Sequence, residues 1–116
     1  MISEHLKDQV QKALDYDKAF DFADINKLVE KGKLKIFQNK DGVLITHLVP
    51  YPKKKILSIL LGAGTLDKVL SLVPKVEDYA KENGCTELIF AGRKGWEKVL
   101  PDWKFKNIMM KKSLNG

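Results

Sequence analysis

The first thirty residues carry apolar side chains at helical spacing. Ser3 can cap a first helix that ends near Asp17. A second short helix is predicted to start at Asp21, with Asp24 three residues later, and to end before Gly32. We expect each helix to pack through one apolar face, formed by Leu6, Val10, Ala13 and Leu14 in the first and by Phe22, Ile25, Leu28 and Val29 in the second.

From residue 33 onward the apolar period becomes two, which is typical of strands. One strand is expected on each side of the turn Asn39-Lys40-Asp41-Gly42, and the second strand runs from Val43 to Val49. Together the two strands predict a β-hairpin. The next apolar run, 56–61, is almost uninterrupted, so it predicts a central strand covered on both faces. Gly62-Ala63-Gly64 is expected to close that strand.

The second half of the chain alternates helical and strand patterns. Thr65 can cap a helix that Pro74 either kinks or restarts, because proline lacks an amide hydrogen but is tolerated in a first turn. A strand over 86–91, a short helix bearing Trp96 and a last strand, Trp103 to Leu114, complete the order. This order predicts a single α/β (α+β) domain over 1–116, in which a mixed sheet of about five strands has helices on both faces. Residues 3–31 are expected to be helical, and residues 33–114 are expected to form the sheet and the remaining helices.

Composition narrows the classes of protein that this sequence can encode. A chain of 116 residues has room for one core, and its only cysteine, Cys85, excludes an internal disulfide and a cysteine-based zinc site. No apolar run is long enough for a membrane span, and the first residues lack the order of a signal peptide. We therefore expect a protein of the host cytoplasm with no metal and no membrane partner.

The net charge of +6 is concentrated in two stretches, 33–64 and 91–116. Basic stretches attract phosphates, so nucleic-acid binding is one hypothesis. However, twenty of the twenty-one basic residues are lysine, whereas base recognition commonly uses the planar fork of arginine. A solvated lysine face is the simpler interpretation, and a nucleic-acid-binding module is kept as a secondary alternative.

Four segments of the chain carry a resemblance to known proteins: residues 32–37, residues 51–64, Asn83-Gly84-Cys85 and residues 92–100, which begin with Gly92-Arg93-Lys94-Gly95-Trp96. They look like a group of small acetyltransferase-like proteins encoded by bacteriophages and prophages. The order of helices and strands likewise resembles the Gcn5-related N-acetyltransferase (GNAT) fold. The resemblance covers roughly residues 20–113 and implies a phage-encoded GNAT-like protein, with acetyl-CoA as the family's cofactor.

The resemblance implies a site for acetyl-CoA at the turn after the central strand. In the family, the pyrophosphate rests on backbone amides of a turn patterned Gln/Arg-x-x-Gly-x-Gly/Ala at a helix N-terminus. This sequence keeps both glycines but has Ile59 where Gln or Arg belongs, and glycines that merely permit a tight turn are the alternative. The candidate cofactor-binding residues of this turn are Leu61, Gly62, Ala63, Gly64 and Thr65.

Candidate catalytic residues are few. The general base that the family holds near its central strand and the tyrosine that serves as its acid are not evident here, and the strand offers only Ser58. His47 is the alternative base, and it shares strand parity with Val43 and Ile45, which puts it on a face expected to be covered. A purely structural role for His47 stays open, as does metal ligation, although no partner ligand is visible.

Arg93 is the only arginine, and it lies between two glycines at a predicted strand-to-helix junction. A guanidinium binds carboxylates and phosphates in a planar, bidentate manner. One hypothesis is that Arg93 binds such a group on a ligand beside the glycine turn. The other is that it caps carbonyls or pairs with Glu87 or Glu97.

Two functions from different classes follow from the resemblance. The first is non-catalytic protein contact as a virion-associated or phage assembly component, which the departures from the family pattern favour. The second is acetyl-CoA-dependent N-acetylation of an unknown amine. The last strand, 103–114, has an apolar edge at Ile108-Met109-Met110 that no following strand covers, so we expect it to pair with a phage or host protein or with a second copy in a homodimer.

Overall fold

Helices and strands alternate along the structure, a computed structural model that describes residues 2, 4–17, 20–90, 98–104 and 112–114. In chain order the elements are α1 (Glu4–Asp17), α2 (Phe22–Glu30), β1 (Lys35–Gln38), β2 (Gly42–Pro50), β3 (Lys55–Gly64), α3 (Leu66–Leu70), α4 (Val73–Glu82) and β4 (Glu87–Phe90). The short helix expected around Trp96 falls outside the described residues. Within the residues described, no helix is long and apolar enough to cross a membrane.

The start of α2 is fixed by its own side chains. The Asp24 amide donates to the Asp21 carboxylate at 2.9 Å, and the Asp21 amide donates to the Asp24 carboxylate at 3.1 Å. This reciprocal capping box satisfies two amides that a helix N-terminus leaves without a partner. Beyond the helix, Gly32 has a φ of +74°, which suits glycine. The predicted start and end of this helix are confirmed.

The sheet is mixed, as predicted. Its strand order is β1-β2-β3-β4; β1 and β3 are antiparallel to β2, and β4 is parallel to β3. β1 and β2 form the predicted hairpin. The described residues contain four strands where about five were expected, and most of the expected last strand, 103–114, falls outside them.

The central strand is longer than predicted. The expectation that residues 62–64 close the strand after Leu61 is wrong, because β3 continues through them and pairs them with residues 42–44 of β2. The pairing register shifts at Leu60, which makes this residue the additional one of a β-bulge. The bend expected after Leu61 is therefore replaced by paired strand, and the chain turns only after Gly64.

Two apolar layers cover the two faces of the sheet. α1 and α2 contribute to one layer and α3 and α4 to the other, so the predicted placement of helices on both faces is confirmed. Trp103 packs against the second layer. The buried residues are Ile2, Leu6, Val10, Leu14, Ile25, Leu34, Val43 and Ile45 in the first layer, and Leu44, Leu57, Ile59, Val69, Leu72, Val76 and Ala80 in the second.

The helical region after β3 consists of two helices. α3 has only five residues, and Pro74 stands in the first turn of α4. Of the two predicted alternatives the restart is therefore confirmed, since a proline in a first turn loses no helical hydrogen bond. Leu72, between the two helices, is 1% exposed and holds the break against the core.

Candidate functional site

Three glycines bring β2, β3 and α3 closer together than other residues would allow. A Cβ on Gly64 would lie 2.1 Å from the carbonyl oxygen of Asp41, and one on Gly42 would lie 2.9 Å from the backbone of α3. A Cβ on Gly62 would lie 2.9 Å from a methyl group of Leu44. Gly64 also has a φ of +116°, which other residues rarely adopt. Gly42 and Gly64 are therefore required by contacts with backbone atoms, whereas the Leu44 methyl group is the end of a flexible side chain that can move away from a Cβ on Gly62.

The backbone amides at the end of β3 are bonded within the chain. The Gly64 amide donates to Oε1 of Gln9 at 3.0 Å, and the Thr65 amide donates to the carbonyl oxygen of Asp41 at 3.0 Å. Gln9 lies on α1, and His5, one turn before it, has its Nε2 atom 3.1 Å from Oδ1 of Asp41. These contacts hold the N-terminal half of α1 against the β3–α3 junction, where Gly64 and Thr65 lead from the strand into the helix.

Asn39 docks the turn of the hairpin on α3. Its Nδ2 atom donates to the carbonyl oxygen of Lys68 at 2.9 Å and to Oγ of Ser71 at 3.0 Å. Its Oδ1 atom accepts a hydrogen bond from the Asp41 amide at 3.2 Å. One side chain therefore shapes the turn and also bonds to the Lys68 carbonyl oxygen, which accepts a second hydrogen bond from Oγ of Ser71 at 2.7 Å.

These bonds determine how well the junction suits the pyrophosphate of acetyl-CoA. A phosphate site at a helix N-terminus needs backbone amides that are free to point at the ligand. The Gly64 and Thr65 amides are used within the chain, and the side chains of Leu61 and Ala63 pack in the α1–α2 layer. The first turn of α3 adds Asp67, whose carboxylate repels a phosphate. Of the predicted cofactor-binding residues of this turn, Gly64 and Thr65 therefore do not offer the free amides that a pyrophosphate needs.

The two predicted catalytic residues face each other on neighbouring strands. The register of β2 and β3 pairs His47 with Ser58, and such pairs have Cβ atoms about 5 Å apart. Both are half-buried. In the described part of the chain, Nδ1 of His47 is buried without a hydrogen-bond partner, and burial lowers the pKa of His47. The imidazole is therefore neutral at pH 7 and keeps one ring nitrogen available.

Other candidate residues do not extend this site. Arg93 falls outside the described residues, so its contact with a carboxylate or phosphate stays a prediction. One of its expected partners, Glu87, has its carboxylate 2.8 Å from Nζ of Lys54. Burial raises the pKa of the Cys85 thiol, which keeps it protonated and weakly nucleophilic. No group of three or more His, Cys, Asp or Glu residues in the described ranges could hold a metal ion.

Three residues at the junction were not expected to act there. Gln9 follows His5 by four residues, which places both on one face of α1, but this spacing is common on exposed helices. Asn39 and Asp41 are identified by sequence as turn residues only. Their bonds to α3 and to the end of β3 depend on how the hairpin packs, which no local pattern encodes.

Comparisons with known proteins bear on the fold. No family model matches the chain, and no curated protein sequence matches it. Solved structures do match. They include an acetyltransferase from Trypanosoma brucei, at 12% identity and a TM-score of 0.64, with 98% of this chain and 95% of that chain covered. An aminoglycoside acetyltransferase from an uncultured soil metagenomic sample, solved in complex with sisomicin, has 14% identity, 94% and 86% coverage and a TM-score of 0.69. A protein from Thermus thermophilus has 14% identity, 99% and 95% coverage and a TM-score of 0.65.

At such low identities the similarity concerns the fold alone. It extends over nearly the whole chain, and it agrees with the mixed sheet and the two helical layers described above. This chain therefore has the GNAT-like fold of the acetyltransferases with which it superimposes.

Proposed function

We propose that this chain uses the GNAT-like fold for protein contact rather than for acetyl transfer. The observation that supports this most strongly is the bonding of the Gly64 and Thr65 amides to Gln9 and Asp41, at 3.0 Å each. The resemblance places the coenzyme pyrophosphate at these amides, and here the protein itself occupies them. The resemblance to phage and prophage proteins supports a role as a virion-associated or assembly component.

The contact surface that we propose is the C-terminal segment, 103–114. Its sequence favours an edge strand with the apolar run Ile108-Met109-Met110, and edge strands pair readily with another chain. Leu114, near the end of this segment, is 88% exposed. Sedimentation equilibrium at high micromolar concentration is expected to give a dimer for the wild type and a monomer for Met109→Lys. Equal masses for the two proteins would contradict a homodimer through this segment.

Calorimetric titration with acetyl-CoA tests the proposed lack of coenzyme binding. We expect no saturable heat for the wild type. Gln9→Ala removes the acceptor of the Gly64 amide, and Gln11→Ala removes a glutamine of the same helix that bonds Asp15 instead, at 2.7 Å. Both variants are also expected to give no saturable heat, because the close backbone contacts of Gly42 and Gly64 also close the junction between β3 and α3. Submillimolar binding by the wild type would contradict the proposal, whereas binding by Gln9→Ala alone would show that Gln9 is the group that closes the site in the wild type.

A second candidate is acetyl-CoA-dependent N-acetylation of an unknown amine, and the geometry of His47 favours it. A neutral imidazole with a free nitrogen beside Ser58 suits a general base that takes a proton from an attacking amine. The assay is release of coenzyme A thiol from acetyl-CoA with a panel of primary amines. Turnover that falls about 100-fold or more in His47→Gln would replace the first proposal with this one.

A further inference from the structure

Strand β1 forms one edge of the sheet in the described part of the chain. Among those residues it pairs with β2 alone. The Asn39 amide donates to the Gly42 carbonyl oxygen at 2.9 Å, which makes these two residues a hydrogen-bonded pair of the hairpin. Bonded and non-bonded pairs alternate along an antiparallel ladder, so Ile36 and Ile45, three pairs further on, form a non-bonded pair. The backbone amide and carbonyl of Ile36 therefore point away from β2, where an added strand can bond them.

The segment that contains this edge is strongly basic. Residues 31–40 include four lysines and no acid, and all four lysines are exposed: Lys31, Lys33, Lys35 and Lys40. In the part of the chain that the structure describes, none of them forms an ion pair. Asp41, the next residue, has its Oδ1 atom 3.1 Å from Nε2 of His5 instead. The edge therefore offers four ammonium groups for which these residues supply no carboxylate.

Two aromatic rings position one of these ammonium groups beside the edge. The Nζ atom of Lys35 lies 5.9 Å from the ring centroid of Phe37 and 5.8 Å from that of Tyr79, which belongs to α4. The two rings meet edge to face, with 5.5 Å between their centroids. An ammonium group is attracted to the faces of such rings, which restricts the rotamers of Lys35. Since the side chain is also exposed, its charge is available to a partner at a defined place.

We propose that β1 binds an acidic segment of another protein, which adds to the sheet as an extended strand. The backbone of Ile36 bonds the main chain of this segment, and carboxylates on its alternate residues pair with Lys35 and the neighbouring lysines. A second copy does not fit, because two β1 strands would bring their lysines together, and edge lysines are a common means of preventing such self-pairing. The surface does not include residues 103–114, so this proposal and the proposed contact through that segment can fail independently.

Titrations of the wild-type protein with short blocked peptides at low salt, followed by amide NMR shifts, test the proposal. A hexapeptide of alternating glutamate and valine is expected to give saturable shifts at Ile36 and Phe37 and to slow hydrogen exchange of the Ile36 amide. The same peptide methylated at every amide nitrogen keeps its charges but cannot donate, so it is expected to bind at least about fivefold more weakly. No saturable binding of the first peptide, or equal binding of the methylated one, would overturn the proposal.

A nucleic acid and three variants show whether the site recognises more than charge. Tetrathymidylate, whose three phosphates match the three glutamates, is expected to bind at least about fivefold more weakly than the peptide, and equal or tighter binding would overturn the proposal in favour of a general polyanion site. Lys35→Gln and Lys33→Gln are each expected to weaken peptide binding about threefold, once their amide spectra show a native fold. Lys53→Gln, at an exposed lysine of the turn between β2 and β3, is the matched control and is expected to bind as the wild type does. Equal losses in all three variants would show that the peptide does not lie along β1.

Discussion

Gly64→Ala tests whether the glycine at the end of β3 serves packing within the chain. The new Cβ would lie 2.1 Å from the Asp41 carbonyl oxygen and 2.7 Å from Cα of Gly42. Both atoms belong to backbone, so no rotamer change relieves the contact. A non-glycine residue at φ +116° costs about 1–3 kcal/mol, and an overpacked contact costs about the same. We therefore expect Gly64→Ala to lower the free energy of unfolding by about 4 kcal/mol.

The matched control is Gly84→Ala. Gly84 also has a positive φ, +75°, but no atom lies within 4 Å of a Cβ built on it. Its substitution is expected to cost about 1 kcal/mol, from backbone conformation alone. Urea denaturation measures both values, and melting temperatures are expected to differ by roughly 12 °C at about 4 °C per kcal/mol. Equal losses in the two variants would refute the packing role, because only the new Cβ at position 64 would lie against backbone atoms of Asp41 and Gly42.

Three further predictions concern the core, a helix cap and a buried histidine. Leu57→Ala, at a fully buried position, is expected to cost about 3 kcal/mol in urea denaturation, whereas Leu66→Ala, at a position 48% exposed, is expected to stay within about 0.5 kcal/mol of wild type. Asp21→Ala removes the capping box of α2 and is expected to cost about 1 kcal/mol in thermal melts, and Asp21→Ser is expected to restore most of it. The pKa of His47 is lowered on folding from its ordinary 6.5, so the unfolded chain takes up the proton first as pH falls. The contribution of neutral His47 to the free energy of unfolding is therefore fully present above pH 6.5 and is lost as pH falls through the pKa of the folded protein. Urea denaturation over this pH range is expected to show a smaller loss of unfolding free energy for His47→Leu than for the wild type. An equal or larger loss in the variant would contradict this.

Much of the fold could be predicted because its elements have clear periods and clear ends. The start of α2 follows from Asp21 and Asp24, which cap each other within four residues of sequence. The restart at Pro74 follows from the chemistry of proline. The extension of β3 through residues 62–64 could not be predicted in this way. Two glycines and an alanine are too small to show the alternation of a strand, and these residues pair because residues 42–44 extend β2 beside them.

The candidate site shows the same division between local and tertiary information. The shared face of His47 and Ile45 follows from strand parity, which is local. The pairing of His47 with Ser58 depends on the register between β2 and β3, which a bulge at Leu60 shifts by one residue. The acceptor of the Gly64 amide is Gln9, fifty-five residues earlier in the chain. No pattern in one segment encodes a hydrogen bond of that sequence separation.

The most direct test of the account is an amide NMR titration of the wild-type protein with acetyl-CoA, followed at Gly64 and Thr65. Both amides bond within the chain, so we expect slow hydrogen exchange at each and no change in their shifts as the coenzyme is added. Fast exchange at these two amides, together with saturable shifts at submillimolar acetyl-CoA, would show instead that the end of β3 is open to the pyrophosphate and that this chain retains the coenzyme site of its fold.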